Sequence, residues 1–132
     1  IHTPLNGETR NMINRETIGL MKPGAIFVNC ARGGLVDFDG LEWGLRDGPL
    51  AAAALDVFPE EPPASHPLLT SWLNEDEWLR GRLCITPHCS FYSEATFTEI
   101  RHGAAVTAAA YLRDGNLINC VNEIHLAANK ES

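Results

Sequence analysis

The chain has 132 residues, of which 45% are hydrophobic and 20% charged, and its net charge is −7. That length suffices for one domain with a buried core. The acidic balance excludes nucleic acid as the main partner, because phosphate contacts need a basic face, and it gives no reason to expect a membrane surface. No apolar run approaches the roughly 20 residues that span a bilayer. Cys30, Cys84, Cys89 and Cys120 form no CxxC pair and no zinc-type cluster with histidine, so no metal site is expected. Reduced thiols in the cytoplasm are the default.

In chain order, residues 1–4 read as the end of a strand broken by Pro4. Asn6-Gly7-Glu8-Thr9 reads as a turn. Asn14 is placed to cap a short helix from Arg15 to Met21, which Lys22-Pro23-Gly24 ends. Ala25 to Asn29 is a short buried strand, and it stops at Cys30-Ala31-Arg32-Gly33-Gly34. Asp37 then caps a helix with Phe38, Leu41 and Leu45 on one face. Gly40 and Gly44 each weaken that helix by about 1 kcal/mol relative to Ala, so packing must hold it. Gly48 is expected to end it.

Leu50 to Phe58 is an apolar run whose flanking prolines favour a strand. A proline-rich loop from Pro59 to Pro67 follows, and Leu68 to Trp78 is expected to be a surface excursion with room for a helical turn. Leu83 to Thr86 is another short strand, stopped by Pro87-His88. Ser93 caps the longest helix, which runs to about Arg113 with Phe97, Ile100, Ala104, Ala108 and Tyr111 on one face, and Asp114-Gly115 ends it. Strands alternating with helices imply an α/β fold with a parallel sheet.

Three polar residues follow the ends of these strands: Arg32, Glu61 and His88. Each has a plain reading taken singly. Arg32 could be a surface arginine at a turn, Glu61 a solvated charge, and His88 a strand-end cap. Their joint placement at three successive strand ends favours a site, because open α/β sheets bind ligands in the crevice beyond the carboxyl ends of their strands. A guanidinium there can fork a carboxylate. A carboxylate beside an imidazole favours the protonated ring, which can then give or take a proton. Together the three suit interconversion of a 2-oxo acid and a 2-hydroxy acid, with His88 moving the proton and Glu61 holding His88. Hydride transfer needs a cofactor. Cys30 and Cys89 read as small buried filler, and His2, His66, His102 and His125 as structural or surface histidines. Trp43, Trp72 and Trp78 read as packing or interface.

Several stretches resemble the C-terminal part of the NAD-binding domain of D-isomer-specific 2-hydroxyacid dehydrogenases. They are His2-Thr3-Pro4-Leu5, Glu8-Thr9-Arg10, Leu20 to Gly24, Val28 to Asp37, Ala54 to Pro62 and Thr86-Pro87-His88, in family order. The resemblance implies a doubly wound, Rossmann-type sheet, here without its GxGxxG half, over residues 1–121, followed by a polar tail over 122–132. It implies NAD as cofactor and catalytic roles for Arg32, Glu61 and His88. It also implies cofactor contacts at Thr3, Pro4, Cys30, Ala31, Arg32, Asp56, His88 and Ser90, and a substrate pocket of Arg32, His88 and Phe91. The partners implied are a small 2-oxo or 2-hydroxy acid and a second copy of the protein in a homodimer.

Ser90 to Ala95 and Asn119 to Asn122 are also similar to the C-terminal-binding-protein branch of NAD-sensing corepressors, which usually carries Trp where this chain has Phe91. The loop from Glu61 to His88 is longer than is usual in the family. The opening Ile1-His2-Thr3-Pro4 lacks an initiator Met, so the chain is expected to be an interior piece of a longer protein, inactive by itself.

Overall fold

The computed structural model describes residues 1–123. The polar tail beyond them, His125 included, lies outside the described residues. The chain divides into two units, Ile1–Ser90 and Phe91–Ser132.

In the first unit, Asn14 caps α1 (Arg15–Gly19) in a full capping box with Thr17. Strand β1 (Ala25–Asn29) follows, then a 3-10 turn over Gly33–Leu35 that the sequence did not suggest. Asp37 caps α2 (Phe38–Arg46) through the backbone amide of Gly40. Phe38, Leu41 and Leu45 are buried as expected. The helix ends at Asp47, one residue before Gly48. The glycines of α2 have a packing purpose: a β-carbon on Gly40 would come within 2.6 Å of the Arg15 backbone nitrogen, so α1 and α2 approach where side chains are absent.

Strand β2 is shorter than its apolar run and covers Leu50–Leu55. Asp56, Val57 and Phe58 are buried beyond its end. The supposed surface excursion is corrected. His66 caps α3 (Pro67–Leu73), with Pro67 where a missing N–H costs nothing. Leu68, Leu69 and Leu79 from this segment join the hydrophobic core. Strand β3 (Leu83–Ile85) then pairs with β2.

The strands form a parallel sheet in the order β1-β2-β3. Asn29, Leu55 and Ile85 share one row across it, so the carboxyl ends of the strands are level. One face, with Phe27, Ala53, Leu55 and Leu83, packs into the core with Leu41, Leu45 and Leu68. Arg82 holds the opposite end, donating to the carbonyls of Leu45, Leu50, Ala51 and Trp78. Residues 1–4 form no strand, although the Ile1 amino group donates to the Val28 carbonyl at 2.7 Å.

In the second unit Ser93 caps α4 (Glu94–Asp114), and Gly115 ends it at φ 67°. The apolar face read from the sequence is exposed: Phe97, Ile100, Ala104, Ala108 and Tyr111 all face solvent, and Ala110 is the buried residue of this helix. An apolar stripe identifies a helix that can pack, and leaves open what packs against it.

Candidate active site

Level strand ends bring three loops to one edge of the first unit. The loop after β1 carries Arg32, and the loop after β2 carries Glu61. A tight turn after β3 carries His88.

The first two loops touch. A β-carbon on Gly33 would overlap the backbone of Phe58 and Pro59, so only glycine lets the chain after Arg32 press against the loop leading to Glu61. Glu61 then folds back on its own loop. Its Oε1 accepts from the Phe58 amide at 3.0 Å, and its Oε2 meets His88 Nδ1 at 2.7 Å. The hydrogen bond from His88, then that from Phe58, outweigh burial and hold the Glu61 carboxyl below its ordinary 4.5. The ionised carboxylate can only accept, so Nδ1 carries the proton of this bond and Nε2 is the ring nitrogen not engaged by Glu61.

His88 sits at φ 51°, in the left-handed region where non-glycine residues are uncommon. Asp56 holds it there. This carboxylate is 2% exposed, and each oxygen accepts twice. Oδ1 takes the Thr86 hydroxyl and the Cys89 amide, and Oδ2 takes the hydroxyl and amide of Ser90. The turn from Thr86 to Ser90 is wrapped around one buried anion, with His88 at its crest. Burial pushes the Asp56 carboxyl up, but the bonds from Ser90, Thr86 and Cys89 outweigh it and hold the group well below its ordinary 3.8.

Arg32 is exposed, and its Nη1 donates to its neighbour's carbonyl, Ala31 O, at 2.7 Å. It lines an open groove of about 630 Å³ with His2, Thr3, Pro4, Cys30 and Ala31. Glu61 and His88 line a separate cavity of about 450 Å³, walled by Phe58, Pro62, Trp72 and Ile85. The structure therefore bonds Glu61 to His88 directly and joins Asp56 to Ser90. It gathers Thr3, Pro4, Cys30, Ala31 and Arg32 along one groove. Phe91 opens the second unit and is 53% exposed.

Sequence reasoning passed over Asn29, which is fully buried and bonds to the turn that carries Arg32. An asparagine closing a strand has no spacing or composition signal that would single it out. Trp72 was read as packing or interface. It supplies a wall of the cavity beside His88 and donates from its indole N–H to Leu83 O at 3.1 Å. Among the described residues no cluster of His, Cys, Asp and Glu could hold a metal ion, and no helix is long and apolar enough to cross a membrane.

Residues 1–90 match the family model described as D-isomer specific 2-hydroxyacid dehydrogenase, NAD binding domain. The chain is 59% identical over 70 residues to a D-3-phosphoglycerate dehydrogenase of Methanocaldococcus jannaschii, covering 53% of this chain and 13% of that protein. It is 38% identical over 122 residues to a glyoxylate reductase of Aeropyrum pernix, covering 92% and 34%. A crystal structure of a D-isomer specific 2-hydroxyacid dehydrogenase from Lactobacillus delbrueckii ssp. bulgaricus, in its NAD-complexed form, superposes with a TM-score of 0.71 at 31% identity, covering 92% and 38%. The chain thus spans at most about a third of the length of these curated relatives. Both are named as oxidoreductases, which does not support the corepressor resemblance.

Proposed function

Because the chain belongs to the D-isomer specific 2-hydroxyacid dehydrogenase family through its NAD-binding domain, we propose that the full-length protein interconverts a 2-oxo acid and its D-2-hydroxy acid. NAD is the cofactor of this domain family, and when bound it exchanges a hydride with the substrate carbon. The groove at Thr3, Pro4, Cys30, Ala31 and Arg32 suits the cofactor. It lies at the carboxyl end of a parallel strand, and no carboxylate lines it to repel phosphate. The 132 residues contain no GxGxxG, so they hold no phosphate loop of that type. Asp56 is assigned to the nicotinamide amide by family likeness, and such a contact would share an oxygen that already accepts two hydrogen bonds.

In this reading Arg32 holds the substrate carboxylate and polarises the neighbouring carbonyl. His88 Nε2 gives its proton to the carbonyl oxygen as the carbon is reduced, and takes it back from the hydroxyl in the reverse direction. Glu61 fixes the tautomer and orientation of the ring through Nδ1 and balances its positive charge.

The observation that carries this reading is the 2.7 Å His88–Glu61 pair on its anchored turn. Replacing His88 by Gln should cut turnover of a 2-oxo acid with NADH by roughly 10²–10⁴-fold. Arg32→Ala should raise KM for the 2-oxo acid and lower kcat, and Glu61→Gln should lower kcat with little change in KM. Steady-state kinetics on the full-length protein checks all three. Wild-type turnover in the His88 and Arg32 variants would refute the assignment.

A further inference from the structure

Arg32 must present its guanidinium in one place, yet its side chain is exposed and, among the described residues, bonds only to Ala31 O of its own turn. What fixes the turn itself is Asn29. Its carboxamide is fully buried, and both ends are used. Nδ2 donates to the carbonyl of Arg32 at 2.9 Å, and Oδ1 accepts from the amide of Ala31 at 3.0 Å. The backbone of Asn29 is tied down as well, with its carbonyl accepting from the Asp56 amide at 3.0 Å and its Cα paired with Leu55 in the sheet.

We infer that Asn29 is a positioning residue for Arg32, setting the direction in which the guanidinium leaves the turn without touching substrate. The inference rests on the role proposed for Arg32 above. The chemistry needs a carboxamide, because one short side chain must donate to one backbone group and accept from another. Aspartate can only accept. It would keep the bond to the Ala31 amide and set a negative oxygen against the Arg32 carbonyl. Serine is smaller than the site and cannot bridge both groups. Either change frees the backbone at Arg32, and a displacement of about 1 Å at a substrate-holding group costs up to ~10²-fold in rate.

The test is a double-mutant cycle in the full-length protein, with glyoxylate and NADH as substrates. Asn29→Asp should lower kcat/KM for glyoxylate by about tenfold or more. In the Arg32→Ala background the same change should cost less than about twofold, because the group it positions is gone. Asn29→Ser provides the second variant should the buried aspartate unfold the protein, with the same loss expected in one background and not in the other. Equal losses in both backgrounds would show that Asn29 merely supports the fold and would overturn the inference. Wild-type activity in Arg32→Ala alone would overturn the functional reading first, and the inference with it.

Discussion

A β-carbon at position 33 has no free space to enter, because the backbone of Phe58 and Pro59 already fills it. Backbone cannot rotate aside as a side chain can, so the two loops would have to part. Ordinary overpacking costs about 1–3 kcal/mol, and Gly33→Ala should fall at or above the top of that range. Gly7 is the control: nothing lies near its missing side chain, and Gly7→Ala should stay within about 0.5 kcal/mol of wild type. Denaturant midpoints of the two variants measure the difference. The Gly33 variant should also lose turnover, since the loop it displaces leads to Glu61. Such a close approach is invisible in a single sequence, where Gly33-Gly34 reads only as a turn. Arg32 and His88 could be placed at one edge because each follows a short apolar run, whereas β2 ends at Leu55, short of its apolar run, and Glu61 reaches that edge through the loop beyond it.

At the scale of elements, the turn after β3 shows how a loop is held without secondary structure of its own. Four donors converge on the Asp56 carboxylate, and the His88–Glu61 bond ties the crest of the same Thr86–Ser90 turn to the neighbouring loop. The sign of the pH effect follows from the lowered carboxyl. Its stabilisation is fully present above the ordinary value of 3.8 and is lost as pH falls below that value through the lower native one. Asp56→Asn turns an NH₂ toward groups that themselves donate. It should destabilise the fold at neutral pH by about 1.5–3 kcal/mol. The gap between wild type and variant should narrow as pH is lowered below 4, and thermal midpoints taken across that range test it. Glu61 acts in the same direction through its bond to His88.

Elements were legible where their signals are local. Asn14, Asp37 and Ser93 each cap the helix assigned to them, and Gly115 stops α4. Helix α3 was hidden by its context: its cap is a histidine, a weaker signal than Ser or Asp, and its first residue is one more proline in a proline-rich run. The bonds from Asn29 and Asp56 are tertiary, and no periodicity announces them.

For the whole molecule, the decisive feature is a parallel sheet with one bare face in the first unit. Parallel sheets are normally covered on both sides. Here Phe27, Ala53 and Leu83 face the core, while Ile26 at 69% exposure, Val28 at 44% and the exposed Cys84 face solvent. Ala52 and Ala54 lie in register between them, which makes the exposed patch continuous and apolar. Contiguous apolar surface of this kind drives association unless something covers it. The 132-residue chain studied alone should therefore self-associate in a concentration-dependent way at neutral pH, despite its charge of −7. Ile26→Lys combined with Val28→Thr should shift it toward monomer without lowering its thermal midpoint, because neither side chain contributes to the core. Sedimentation velocity over a concentration series distinguishes the outcomes. A monomeric wild-type chain at high concentration would show that the bare face does not drive association. A double variant that loses its cooperative unfolding would show that Ile26 and Val28 support the fold from the outside.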